Sequence, residues 1–263
     1  MTSVLVESRV DRSGLRQAVR AEVIKVATLR SAFWTLVVTA AGSVAITVLT
    51  TNSVGHHPRW WYQGFDPTNE ALGGLVLATL TVGVLGVLAA SSEYSSGTIR
   101  ASLAAVPRRP TLVGAKVLVL FGLALVLGEV LAFGCFGIGQ GVLAAGGAPT
   151  ASLAHGDVVR AVTVCGFSLA MLAILGLGFG FLIRHTAGAL ATFAGATFLL
   201  PLILQRLPGD PSRYTPIPIM ANSLSATVSH PGRVSVLTGL LLIVLYAVVV
   251  LGVGAARLLR RDA

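Results

Sequence analysis

Residues 161–183 read AVTVCGFSLAMLAILGLGFGFLI, a run without a single charged side chain. Wound as an α-helix at about 1.5 Å per residue, the run measures about 34 Å, enough to cross the hydrocarbon core of a bilayer. It is not isolated. Charge-free runs also cover Phe33 to Thr50, Ala71 to Ser92, Thr186 to Gln205 and Val234 to Ala256. A sixth, Val117 to Leu127, extends on both sides past Lys116 and Glu129. The long stem of a lysine near the start of a span lets its ammonium snorkel to the interface. The predicted fold class is therefore an all-α integral membrane protein with six transmembrane helices.

Composition points the same way. Of 263 residues, 54% are hydrophobic and 11% charged, with a mean hydropathy of +0.84, too few charges to solvate a water-soluble fold of this length. The formal net charge is +9. In a soluble domain that excess would suggest nucleic acid, but here the charges fall between apolar runs and act as topology signals, so no nucleic-acid partner is expected. Fourteen of the nineteen basic residues sort to the side that holds the N-terminal segment, the loop after the second span, Arg184 and the tail. Basic residues in short loops resist translocation, so both termini are expected in the cytoplasm. The excess of arginine over lysine suggests a GC-rich bacterial genome and the bacterial inner (plasma) membrane.

The expected organisation is a cytoplasmic N-terminal segment over 1–31, a transmembrane domain over 32–258 and a short cytoplasmic tail over 259–263. Met1 opens a polar stretch reaching Arg30, so the first span is expected to act as an uncleaved signal anchor. Within that stretch Leu15, Val19, Val23, Ile24, Val26 and Ala27 recur at near-helical spacing against Arg16, Arg20, Glu22 and Lys25. This predicts an amphipathic helix lying on membrane lipids, the alternative being a disordered basic tail. Trp60, Trp61 and Tyr62 read as an interfacial aromatic anchor. Five prolines between Arg206 and Arg233 exclude a continuous helix there, and either a short helix dipping into the membrane or a surface loop fits. Gly176 and Gly180 form a GxxxG pair, which supports close helix packing without locating a dimer seam.

Familiar catalytic and metal chemistry is missing. There is no GxxxxGK[ST] phosphate loop and no HExxH, and His56 with His57 lacks a third ligand at metal spacing. Cys135 and Cys165 lie in apolar spans and read as packing residues. Ser168 lacks a GxSxG context. No enzyme activity, cofactor or metal site is expected in this chain. Glu129 reads as a pathway acid or, counted from Pro110, as an acid close to the outer headgroups.

The segment SSEYSSGTIRASLAAVPRRPTLVGAKVLVL, residues 91–120, carries the functional reading. Glu93 closes the second span beside Tyr94, and Ser95, Ser96 and Gly97 break the helix. Thr98 to Ala105 form a short helix with Ile99 and Leu103 on one face, Pro107 ends it, Arg108 and Arg109 stop the turn at the headgroups, and Pro110 starts the third span. A short helix tied between two spans can transmit force from a docked soluble partner. In this segment the chain resembles the permease subunits of type-2 ATP-binding-cassette exporters, matching their pattern at Glu93, Gly97, Thr98, Ile99, Arg100, Arg109 and Lys116. Six spans, the N-terminal helix and the long outer loop fit as well.

The resemblance implies that the loop is a coupling helix, with Glu93, Tyr94, Gly97, Thr98, Ile99, Arg100 and Leu103 facing a separate ATPase and Arg108, Arg109 and Lys116 at the cytoplasmic interface. It implies ATP and Mg bound on that ATPase, and a second permease chain in a homo- or heterodimer. The function it implies is solute export driven by the partner's ATP hydrolysis. The alternatives are a non-transporting anchor or immunity protein and a secondary carrier, the latter disfavoured because neither broken helices nor repeated halves are evident.

Overall fold

The computed structural model describes residues 14–25, 30–54, 57, 59–98, 108–226 and 234–261. Its helices are α1 (14–25), α2 (Arg30–Val54), α3 (Pro67–Ser95), α4 (Arg109–Ala145), α5 (Gly156–Ile183), α6 (Thr186–Leu204), α7 (Pro216–Ser223) and α8 (Val236–Arg261). Six helices are long and apolar enough to cross a membrane: α2 from Phe33, then α3, α4, α5, α6 and α8. The charge-free runs therefore mark the spans, with ends shifted by a few residues except in α4, which reaches from Arg109 to Ala145 around the run Val117 to Leu127.

α5, the run that opens the sequence reading, is the hub. Of its central window 72% is buried, against 17% for α2 and α8. Its glycines explain how neighbours come so close. A Cβ on Gly176 would collide with the carbonyl oxygen of Gly83 in α3, and one on Gly180 would stand 2.7 Å from that of Val87. The GxxxG pair thus makes a seam within the chain, between α3 and α5. On another face of α5, a Cβ on Gly178 would lie 2.7 Å from the Leu251 nitrogen of α8. With no water to expel from between helices in lipid, such close backbone packing is a main source of their association.

α2 contributes a different seam. Thr39, Ser43, Thr47 and Thr51 recur every fourth residue and are all buried, while Phe33, Trp34, Val38 and Leu49 on other faces are exposed. Thr47 Oγ1 donates to the Ala71 carbonyl of α3 at 3.2 Å, and Thr51 Oγ1 donates to its own helix at 2.7 Å. Such bonds satisfy hydroxyls away from water.

Two spans contain irregular turns. Gly73–Leu75 forms a 3-10 turn inside α3, and Gly195–Leu199 forms a π turn inside α6. In α6 the cause is Pro201: its ring has no N–H for the Thr197 carbonyl, and the widened turn gives it room, Leu200 N bonding back to Gly195 O.

At the far end of the bundle, Tyr62 Oη donates to the Val54 carbonyl at 3.0 Å, and Trp61 packs against Tyr62 and Phe65. His57, though exposed, stacks on Trp61 at 4.3 Å. The proline-rich segment contains α7, whose Ile219 and Met220 are buried and which packs on α5 and α8. Its preceding loop is braced by Tyr246 Oη donating to the Tyr214 carbonyl at 2.8 Å.

Candidate functional site

α1 packs against the junction of α3 and α4. Its inward residues are Ala18, 2% exposed, and Glu22, 7% exposed, whereas Val23 and Ile24 are exposed beside Arg16 and Arg20. The departure from the expected pattern is Glu22, which sits on the buried side of α1 and not on its solvated polar face. Periodicity assigns every glutamate to solvent, but here a carboxylate turns inward because cations meet it.

Those cations are Lys116 and Lys25. Lys116 Nζ donates to Glu22 Oε2 at 3.0 Å, to Glu93 Oε1 at 2.7 Å and to the Ala89 carbonyl at 3.2 Å. Lys25 Nζ donates to Glu22 Oε1 at 3.0 Å and to Glu93 Oε1 at 2.8 Å. The Lys116 side chain is only 2% exposed, so it does not snorkel; two carboxylates neutralise it where it stands. Glu93, 7% exposed, is equally enclosed. Among the described residues, two acids and two bases leave the cluster without net charge, the condition under which ions tolerate burial. Glu93 Oε2 is buried without a hydrogen-bond partner.

Burial would lower the basicity of the Lys25 ammonium, but its hydrogen bonds to Glu93 and Glu22 and their charges outweigh that and hold it above the ordinary lysine value. The cluster joins three elements that are remote in sequence: the N-terminal helix, the last turns of α3 and the second turn of α4.

α3 ends as its serines and glycine predict. Ser96 Oγ donates to the Ser92 carbonyl at 2.7 Å and pairs with Thr98 Oγ1 at 2.8 Å, and Gly97 takes φ +73°, a left-handed conformation that suits glycine just past a helix end. Ile99, Arg100 and Leu103 lie outside the described residues. Arg108 is extended, α4 begins at Arg109 with Pro110 in its first turn, and Arg109 Nη1 donates to the Leu258 carbonyl of α8 at 2.9 Å. Arg184 caps α5 at φ 62° and donates to the Arg257 carbonyl at 2.9 Å, while Arg257 donates back to the Leu182 carbonyl at 3.1 Å. The C-terminal ends of α5 and α8 thus exchange arginine caps, each cation meeting a negative helix end. The Arg184 guanidinium also lies over the Tyr94 ring, 5.4 Å from its centroid.

The structure therefore brings Glu93, Tyr94, Arg109 and Lys116 to one end of the bundle and adds Glu22, Lys25, Arg184 and Arg257. Glu129 is elsewhere. It lies about 20 Å along α4 from Lys116 and about 16 Å from Gln140, whose side chain donates to the Pro67 carbonyl at the start of α3. That is about midway along α4, between the levels of Lys116 and Gln140.

A multi-pass membrane protein with a charge-locked junction where α1 meets α3 and α4 is the class that fold and site define. Residues 18–205 match the family model described as ABC-2 family transporter protein, and the chain belongs to that family. The match begins at the buried Ala18 of α1, so Glu22 and Lys25 fall inside the family's domain. No curated protein matches the chain.

Proposed function

We propose that the chain is the membrane subunit of an ATP-driven exporter in the bacterial inner membrane, energised by a separate ATPase that docks on the segment between α3 and α4. The observation that carries this reading is the cluster of Glu22, Lys25, Glu93 and Lys116, set at both roots of that segment. Force applied to a segment flanked by flexible roots would dissipate in local bending. Here the roots are bonded to each other through Lys116 and Glu93 and to α1 through Glu22, so displacement of the segment is passed to α3, α4 and α1 together.

ATP and Mg belong to the ATPase in this account. Closure of the ATPases moves the coupling segment, and the spans switch between inward-open and outward-open packing. A second permease chain completes the pathway. The basic asymmetry supports placing α1, the coupling segment and the C-terminal end of α8 in the cytoplasm, and the glycine seams give the switch bundles that move as packed units. Co-purification tests the reading: an ATP-binding-cassette ATPase should be recovered with the chain from native membranes, and the purified chain alone should hydrolyse no ATP. Appreciable turnover by a contaminant-free preparation of the chain would refute it.

A further inference from the structure

Glu129 differs from the glutamates of the charged cluster. Among the described residues Glu22 and Glu93 each meet two lysines, whereas Glu129 joins no ion pair. Its Oε2 is closed off from solvent and has no hydrogen-bond partner. The carboxyl is also held in a built seat. A Cβ on Gly166 of α5 would stand 2.5 Å from Glu129 Cδ, 2.6 Å from Oε1 and 2.9 Å from the Glu129 backbone nitrogen, so glycine at 166 lets α4 come this close and the carboxyl lie against α5 as it does. The preceding residue, Gly128, rests on the Gly166 carbonyl, 2.7 Å from where its own Cβ would be, which closes the α4–α5 seam beside the acid.

An ionised carboxylate at mid-span without a counter-charge is expensive, and such groups mark ligand or ion pathways. The surroundings define what could neutralise it. Val126 and Val130 flank Glu129 on the open side of α4 at 65% and 64% exposure, and Phe133 is also exposed. Phe121 and Phe167 make an edge-to-face pair at 6.3 Å across the same α4–α5 seam, Phe167 directly following the seat glycine. No group of three metal-ligating side chains occurs among the described residues. One carboxylate among aliphatic and aromatic groups cannot replace the hydration shell of a hard metal ion, but it suits a cation whose charge is spread over an apolar body.

We propose that Glu129, in its seat against Gly166, is the recognition point for a lipophilic monovalent cation of the quaternary ammonium or phosphonium class. This deepens the transport reading by naming a substrate class and rests on it for the word substrate. The binding itself is a property of the permease chain and needs no ATPase.

The test uses the purified full-length chain in nanodiscs and radiolabelled tetraphenylphosphonium. Wild type and Asp157→Asn, whose carboxylate is exposed, should bind it saturably and alike. Glu129→Gln, nearly the same shape, should bind roughly ten- to a hundredfold more weakly, and Glu129→Asp should fall between. Dicyclohexylcarbodiimide should modify Glu129, and tetraphenylphosphonium, but not neutral triphenylphosphine oxide, should protect it. Absence of saturable binding, equal binding by Glu129→Gln, or modification unaffected by the cation would overturn the proposal, the last making Glu129 a proton site alone. Because ATPase recovery is measured separately, failure here leaves the docking reading to its own test.

Discussion

Replacing Lys116 by methionine removes the ammonium and keeps most of the stem's volume. Two carboxylates then face each other across the vacated position, with their former contacts at 2.7 and 3.0 Å gone and, among the described residues, Lys25, 46% exposed, left to balance them. Breaking a buried pair by deleting one partner costs about 3–5 kcal/mol, because the remaining charge stays desolvated. The chain can escape most of that cost by releasing α1, which carries Glu22 into water. At about 1.4 kcal/mol per factor of ten, the undocked population should rise by roughly two to three orders of magnitude. Ala18→Cys reports the event, since position 18 is 2% exposed and the native Cys135 and Cys165 are both buried. When Lys116→Met is added to Ala18→Cys, a water-soluble maleimide should label the introduced thiol roughly a hundredfold faster or more. Adding Glu22→Leu leaves Glu93 with Lys25 as a balanced pair and should recover part of the loss, because residues in one network do not behave additively. Unchanged labelling in the presence of Lys116→Met would refute the view that the cluster holds α1.

Three further outcomes follow from the same structure. Gly176→Val should force α3 and α5 apart and lower the thermal midpoint of the purified chain by several degrees, while Gly122→Ala, with nothing near its Cβ, should leave it unchanged. Lys25 has its basicity raised in the folded chain, so its contribution is complete below the ordinary lysine value and is lost as pH rises through the higher folded value; as pH rises above 10.5 wild type should lose more thermal stability than Lys25→Met. For orientation, Ser95→Cys should react only with membrane-permeant thiol reagents and Ser53→Cys with impermeant reagent added outside, both positions being exposed in the fold.

The spans were legible because a bilayer imposes length and apolarity together, and six runs met both conditions. The breaks at Ser96 and Gly97 and the start at Pro110 were legible because they depend on local backbone chemistry. Lys116 and Glu22 were misread for one reason: each was judged by its own segment, as a snorkelling cation and as a solvated acid. A charge placed that far inside an apolar run needs a partner, and the nearby acid at Glu93 was in plain sight. The second carboxylate, 94 residues away at Glu22, could be paired only by the fold. The exchanged arginine caps of α5 and α8 were hidden similarly, since Arg184 and Arg257 counted only as topology charges. The seat of Glu129 was out of reach because it depends on Gly166 being opposite, a matter of helix register.

The most direct test of coupling lies at Ile99, outside the described residues but between the two locked roots. Ile99→Asp sets a charge on the face assigned to the ATPase, where a buried unpaired carboxylate costs several kcal/mol, without touching any span. Recovery of the partner ATPase with wild-type and Ile99→Asp chains, compared at equal membrane abundance, decides the matter. The account predicts normal insertion with ATPase recovery and transport both sharply reduced; equal recovery and equal transport would contradict it.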